Sequence, residues 1–195
     1  MSLLTPRDWS SHFKNVLHRT LLTRSITTGE PCRCCKHARE NLLHFATCDK
    51  AGKIWEDLNE ISGKHANMHG RERERFAMFA LLPTGNLESV WIDLHLVLWK
   101  NLIGALVGIE LEGETFVAER IWRGAWKRLE AKILALVERV NIVRRRALSR
   151  GEEVPDLSKK SRLVSPIASF SEKGELTWDK TIVDKLKELA GMKNP

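Results

Sequence analysis

Four cysteines fall within 17 residues of the chain, at positions 32, 34, 35 and 48, and a histidine stands among them at 44. Thiolate and imidazole are donors that zinc prefers, and zinc takes four of them at tetrahedral corners about 2.0–2.3 Å away. Cys32-x2-Cys35 followed by His44-x3-Cys48 supplies such a set. A Cys-x2-Cys turn brings two thiolates to one ion with little backbone strain, and residues four apart, such as His44 and Cys48, share one face of a helix. Cys34 is a surplus thiol able to replace Cys32 or Cys35 as a ligand, and His37 is a weaker alternative. Protein side chains would fill all four places, so the expected cofactor is a structural Zn2+; a catalytic zinc keeps one place open for water. The stretch between Gly29 and Leu42 holds too few apolar residues to order itself without such an ion.

The second chemistry-bearing pattern is charge. The chain has 32 Lys+Arg against 25 Asp+Glu, a net +7, and residues 120–150 alone carry +8. On a helix these residues place an apolar stripe (Ile121, Trp122, Ala125, Trp126, Leu129, Ile133, Leu136, Val140, Val143) on one side. Arg120, Arg123, Lys127, Arg128, Lys132, Arg139, Arg145, Arg146 and Arg150 fall on the other, with Arg144 nearer the apolar edge. Only Glu130 and Glu138 oppose them. Solvated helix faces usually mix signs; a nearly single-signed face about 45 Å long suits the phosphate backbone of RNA or DNA, with counterion release on binding. Trp122 and Trp126 lie on the apolar stripe, which makes them core residues rather than platforms for bases.

Stepping along the chain gives the elements that must hold these residues. Thr5 caps a first helix with Pro6 at its first position, and apolar residues recur from Trp9 to Leu21. Helical periodicity resumes from about Leu42 to Ile61 and again over Glu72–Leu81. Asn86 can cap a long, almost wholly apolar helix over Leu87–Glu110, the expected central helix, in which Gly104 and Gly108 would admit a close neighbour. The basic helix spans Thr115 to about Ser149, ended by Gly151 and Pro155. A loosely packed tail follows, with a β-hairpin of Ile167–Phe170 and Glu175–Trp178 and a short helix over Asp179–Ala190. The fold class is mainly α: a helical bundle with an N-terminal Cys-Cys-His-Cys knuckle and a small hairpin near the C-terminus. It divides into a knuckle domain over 1–64, a helical domain over 65–150 and a polar tail over 151–195.

The run Leu21-Leu22-Thr23-Arg24, Cys32-x2-Cys35, Glu40, Leu43-His44, Cys48, Ala51 and Ile54-Trp55 resembles the zinc-binding domain that follows the polymerase in reverse transcriptases of non-LTR retrotransposons. The resemblance covers residues 9–60 and implies zinc ligation by Cys32, Cys35, His44 and Cys48, in a domain that grips template or target nucleic acid. His44 and Cys48 have three residues between them where that family often has four. Polymerase chemistry of this kind needs adjacent aspartates for two magnesium ions, and none of the seven aspartates here adjoins another. The nuclease some of these elements carry needs Pro-Asp followed by Asp/Glu-x-Lys; Pro155-Asp156 stands without the second part. No Gly-x-Ser-x-Gly elbow or phosphate-binding glycine loop occurs either, and His65, His69 and His95 have no partner at metal spacing.

The expected function is therefore a non-catalytic nucleic-acid-binding protein. The second reading is a structural or adaptor subunit that docks its basic helix into a larger protein or ribonucleoprotein assembly. No signal peptide opens the sequence, and Trp91–Ile109 carries Asp93, His95 and Lys100, so the protein is expected inside the cell, in nucleus or cytoplasm, not secreted and not in a membrane.

Overall fold

The computed structural model describes residues 31–36, 40, 44–63, 70–80 and 87–192. The helix read over Thr5–Leu21, the Leu21–Arg24 run, His37, Leu43, His65, His69 and Asn86 lie outside them. Six α-helices are described, α1 His44–Thr47, α2 Gly52–Ile61, α3 Arg71–Phe79, α4 Ser89–Glu112, α5 Ala118–Ser149 and α6 Lys180–Leu189. Between α5 and α6 come a 3-10 helix, Ser158–Leu163, which the sequence reading does not contain, and an antiparallel hairpin of β1 Ala168–Phe170 and β2 Leu176–Trp178. The fold is mainly α with one two-stranded hairpin, as the periodicity implies.

The periodic stretch ending at Ile61 is two helices, not one. The chain breaks at Cys48–Ala51 and doubles back, with Gly52 N–H donating to the Cys48 carbonyl at 2.7 Å. A Cβ on Gly52 would stand 3.1 Å from the Ala46 carbonyl oxygen, so the absent side chain permits the fold-back. Trp55 then donates its indole N–H to the Phe45 carbonyl at 3.1 Å, tying α2 to α1.

Apolar nearly all round, α4 sits at the centre: Val90, Trp91, Leu94, Leu98, Trp99, Leu102 and Leu106 are buried along it, and so are Asp93 and His95. Ser89–Ile109 is long and apolar enough to cross a membrane by length and composition, and half of it is buried inside this fold. Its start is preceded by Glu88 in an extended conformation. Among the described residues, neither Gly104 nor Gly108 meets a neighbouring helix; a Cβ at Gly104 would face open space, and one at Gly108 only the Glu114 side chain. The close approach lies instead on α5, where a Cβ at Gly124 would come 2.9 Å from Asn101 Nδ2 of α4. That amide donates to the Ile121 carbonyl at 3.0 Å.

Thr115–Val117 lies outside the helix, and α5 begins at Ala118 after an extended Val117. Its stripe is buried from Ile121 to Ile133 and again at Val140 and Ala147, whereas Leu136 is half-buried and Val143 exposed. The helix outruns α4 at this end, and its cover comes from the tail. Gly174 (φ +83°) lets the hairpin turn press against Val140 and Leu157, whose methyls would lie 2.7 and 2.8 Å from an added Cβ. Trp178 meets Trp126 with ring centroids 6.0 Å apart. The Asp179 side chain caps α6 by accepting from Ile182 N–H at 2.9 Å. Val164, Ile167, Phe170, Leu186 and Ala190 belong to the same core as Trp122 and the cysteines. The tail is therefore well packed, contrary to expectation, because its scattered apolar residues gather only once the hairpin and α6 have formed.

Candidate metal centre

The Cys32–Lys36 segment forms a tight turn closed by Lys36 N–H donating to the Cys32 carbonyl at 2.8 Å. Lys36 takes φ +68°, a left-handed conformation at which a side chain is strained. The turn aims Cys32 and Cys35 inward, and Cys34 N–H points at the Cys32 sulfur at 3.4 Å. His44 comes from the first position of α1, and Cys48 from just beyond its end.

One ligand atom from each of Cys32, Cys35, His44 and Cys48 lies within 4.8 Å of the others. Cys32 Sγ is 4.0 Å from Cys48 Sγ, and Cys35 Sγ is 3.3 Å from His44 Nε2. A tetrahedral ion with sulfurs at 2.3 Å requires ligand separations of about 3.8 Å, so this donor set fits one metal ion. All three cysteine ligands are buried and His44 is half-buried. Cys34 is buried beside the cluster but outside the mutually close set. The Cys32 and Cys48 thiols, with burial, hold the Cys34 thiol far above the ordinary range. Cys48 is held far below it, because Cys32 and then Cys34 direct hydrogen bonds to its sulfur. A bound cation is what lets several crowded thiols ionise together.

Two buried charges, Arg33 and Glu40, support the turn. Arg33, between the first two ligands, is 2% exposed, and Glu40 is wholly buried. Arg33 Nε donates to Glu40 Oε2 at 2.9 Å and the Arg33 backbone N–H donates to the same oxygen at 3.0 Å. Arg33 Nη1 reaches α4 and donates to the Leu106 carbonyl at 3.1 Å. The signal available in sequence was Glu40 within the family-like run; Arg33 has none.

His95 is no ligand. Its Nε2 donates toward the Phe76 and Ala77 carbonyls at 3.1 and 2.7 Å, and Trp99 Nε1 donates to Ala77 at 2.6 Å. These carbonyls belong to the last turn of α3; the Phe76 carbonyl also accepts from the Ala80 N–H at 2.9 Å, and the two side chains add to this cap at Ala77.

The nine cations assigned to the basic face, eight on α5 and Arg150 at its C-cap, are not equivalent. Arg123 Nε donates to the Ala190 carbonyl at 3.1 Å, closing α6. Arg120 pairs with Glu114 at 3.1 Å, and Arg128 and Lys132 are half-buried and already engaged. Arg145 pairs with Glu138 at 2.6 Å and Arg150 with Glu152 at 3.8 Å, all four side chains more than half exposed. Lys127, Arg139 and Arg146 are exposed and hold no ion pair among the described residues. Trp122 and Trp126 are buried in the core, as their place on the stripe implies.

No family model, no curated protein and no solved structure matches this chain. Fold and site together define a mainly α-helical protein with a Cys-Cys-His-Cys cluster able to bind a metal ion.

Proposed function

We propose that this chain is a non-catalytic nucleic-acid-binding protein: a structural zinc ion in the Cys32, Cys35, His44, Cys48 site holds the knuckle, and the C-terminal half of α5 takes the phosphates. Zinc is favoured among metals because three thiolates and an imidazole converging on one point suit it, whereas magnesium and calcium take oxygen ligands. The likeness of the Cys-to-Trp55 run to retrotransposon zinc-binding domains supports the same reading.

One observation carries the nucleic-acid part. Arg139, Arg145, Arg146 and Arg150 are all exposed within the last turns of α5, over about 17 Å at 1.5 Å per residue. The exposed pairs Arg145–Glu138 and Arg150–Glu152 are worth little in water, and a phosphate can displace either carboxylate. Of the N-terminal cations, Arg123 is committed to closing α6, and Arg128 and Lys132 are half-buried and already engaged.

The test is binding of generic RNA and duplex DNA across a salt series. Four phosphate contacts give a log–log slope of about −3 to −4, and each arginine removed reduces it by about 1. Arg139→Ala with Arg146→Ala should therefore flatten the slope by about two. A slope near zero for the unaltered protein refutes nucleic-acid binding and turns attention to an acidic protein surface, the adaptor reading.

A further inference from the structure

Arg33 sits inside the ligand sequence, one residue after Cys32 and two before Cys35, so a metal that fixes both cysteines also fixes its backbone. Its side chain bridges to two other parts of the chain. The guanidinium meets Glu40 through Nε at 2.9 Å and Nη2 at 2.5 Å, and Nη1 donates to the Leu106 carbonyl of α4 at 3.1 Å. The same carboxylate accepts the Arg33 backbone N–H at 3.0 Å, so Glu40 holds the turn as well as the side chain. Arg33 and Glu40 are 2% and 0% exposed.

A charge pair this deeply buried persists only while both partners and the remaining donors are held in register; once the turn is free, water is the better solvent for both groups. Among the described residues, Cys32, Cys34 and Cys35 are the apolar residues the turn contributes to the core. Leu106 lies on the part of α4 where Ile103, Ala105, Val107, Gly108 and Ile109 are only half-buried, which leaves it more dependent on such cover than the enclosed stretch from Leu94 to Trp99.

We infer that Arg33 and Glu40 form a latch through which occupancy of the metal site orders the C-terminal third of α4. The pair are positioning residues: they touch no metal and act by fixing the turn that does. Because binding couplings are reciprocal, a latch by which metal orders α4 also raises the affinity for the metal. The inference rests on the four-ligand site holding a metal, and the experiment separates failure of that premise from failure of the latch.

The full-length protein, purified without chelator, is assayed for metal by elemental analysis and then followed by hydrogen exchange with and without a chelator. About one metal per chain is expected, with exchange at 44–47 and at 106–112 rising at least tenfold on chelation, while 121–129 of α5 stays protected. In Arg33→Lys, which retains the charge but shortens the reach to Leu106, metal affinity in competition with a chelating dye should fall about 10- to 100-fold. Chelation should then no longer change exchange at 106–112. The double variant Arg33→Met, Glu40→Leu, which removes both buried charges, should give the same uncoupling. Absence of metal overturns the premise and the latch with it. Metal present, with 44–47 responding to chelation and 106–112 unmoved in the unaltered protein, overturns the latch alone. So does undiminished coupling in both variants.

Discussion

Of the four cysteines, three have sulfurs that converge with His44 Nε2, and the fourth, Cys34, is buried against two of them. Spacing alone left Cys34 open as a ligand, because the choice within Cys-Arg-Cys-Cys depends on how the turn is wound. The left-handed Lys36 and the Lys36-to-Cys32 hydrogen bond make that choice, and neither is written in a spacing rule. Cys35→Ser should therefore abolish the metal and Cys34→Ser should leave about one ion per chain, measured by elemental analysis of chelator-free protein. Loss of a ligand removes most of the binding free energy of a structural zinc, which in such sites is also folding free energy. A Cys34→Ser protein without metal, beside a Cys35→Ser protein that retains it, would exchange their roles. Arg33 lay beyond the reach of sequence for another reason: its significance is a contact with Leu106, 73 residues away.

At the level of elements, periodicity located the long helices among the described residues, merged α1 with α2, missed the 3-10 helix Ser158–Leu163, and did not give the points of closest packing. Gly104 and Gly108, four apart on an apolar helix, have the spacing of a helix–helix contact, yet a Cβ at Gly104 meets open space and one at Gly108 only the Glu114 side chain. Gly124, one glycine in a helix otherwise read for its charge, is where α4 approaches. Periodicity reports which face is apolar; it does not report which stretch of that face finds a partner. The two glycines separate cleanly under one substitution. Alanine gains about 1 kcal/mol over glycine in a helix interior. Gly104→Ala adds a methyl to open space and should raise stability by about that amount in urea titration. Gly124→Ala receives the same gain but pushes on the Asn101 amide 2.9 Å away and breaks its bond to the Ile121 carbonyl, a loss of about 0.5–1.5 kcal/mol. It should show no net gain. If Gly124→Ala stabilises as much as Gly104→Ala, α4 and α5 do not meet there.

For the whole molecule, the sequence divides by composition into a knuckle segment, an apolar and basic middle and a polar tail, and the described parts of all three share one core. A polar average hid the tail's contribution: Val164, Ile167, Phe170 and Leu186 are few, but all are buried, and the hairpin turn and Trp178 cover Val140 and Trp126 of α5. Arg123 reinforces the junction by closing the end of α6. One core implies one cooperative unit, since losing the tail uncovers Val140 and Trp126 together. Leu186 is fully buried, and Leu186→Ala should cost about 2–5 kcal/mol. The decisive feature is how that cost is distributed. If the tail belongs to the common core, the variant unfolds in a single transition at lower denaturant, with tryptophan fluorescence and far-UV circular dichroism coinciding. Were the tail an accessory segment, Leu186→Ala would instead produce an early, small transition in the dichroism alone, and the fluorescence of the buried tryptophans on α4 and α5 would keep its original midpoint.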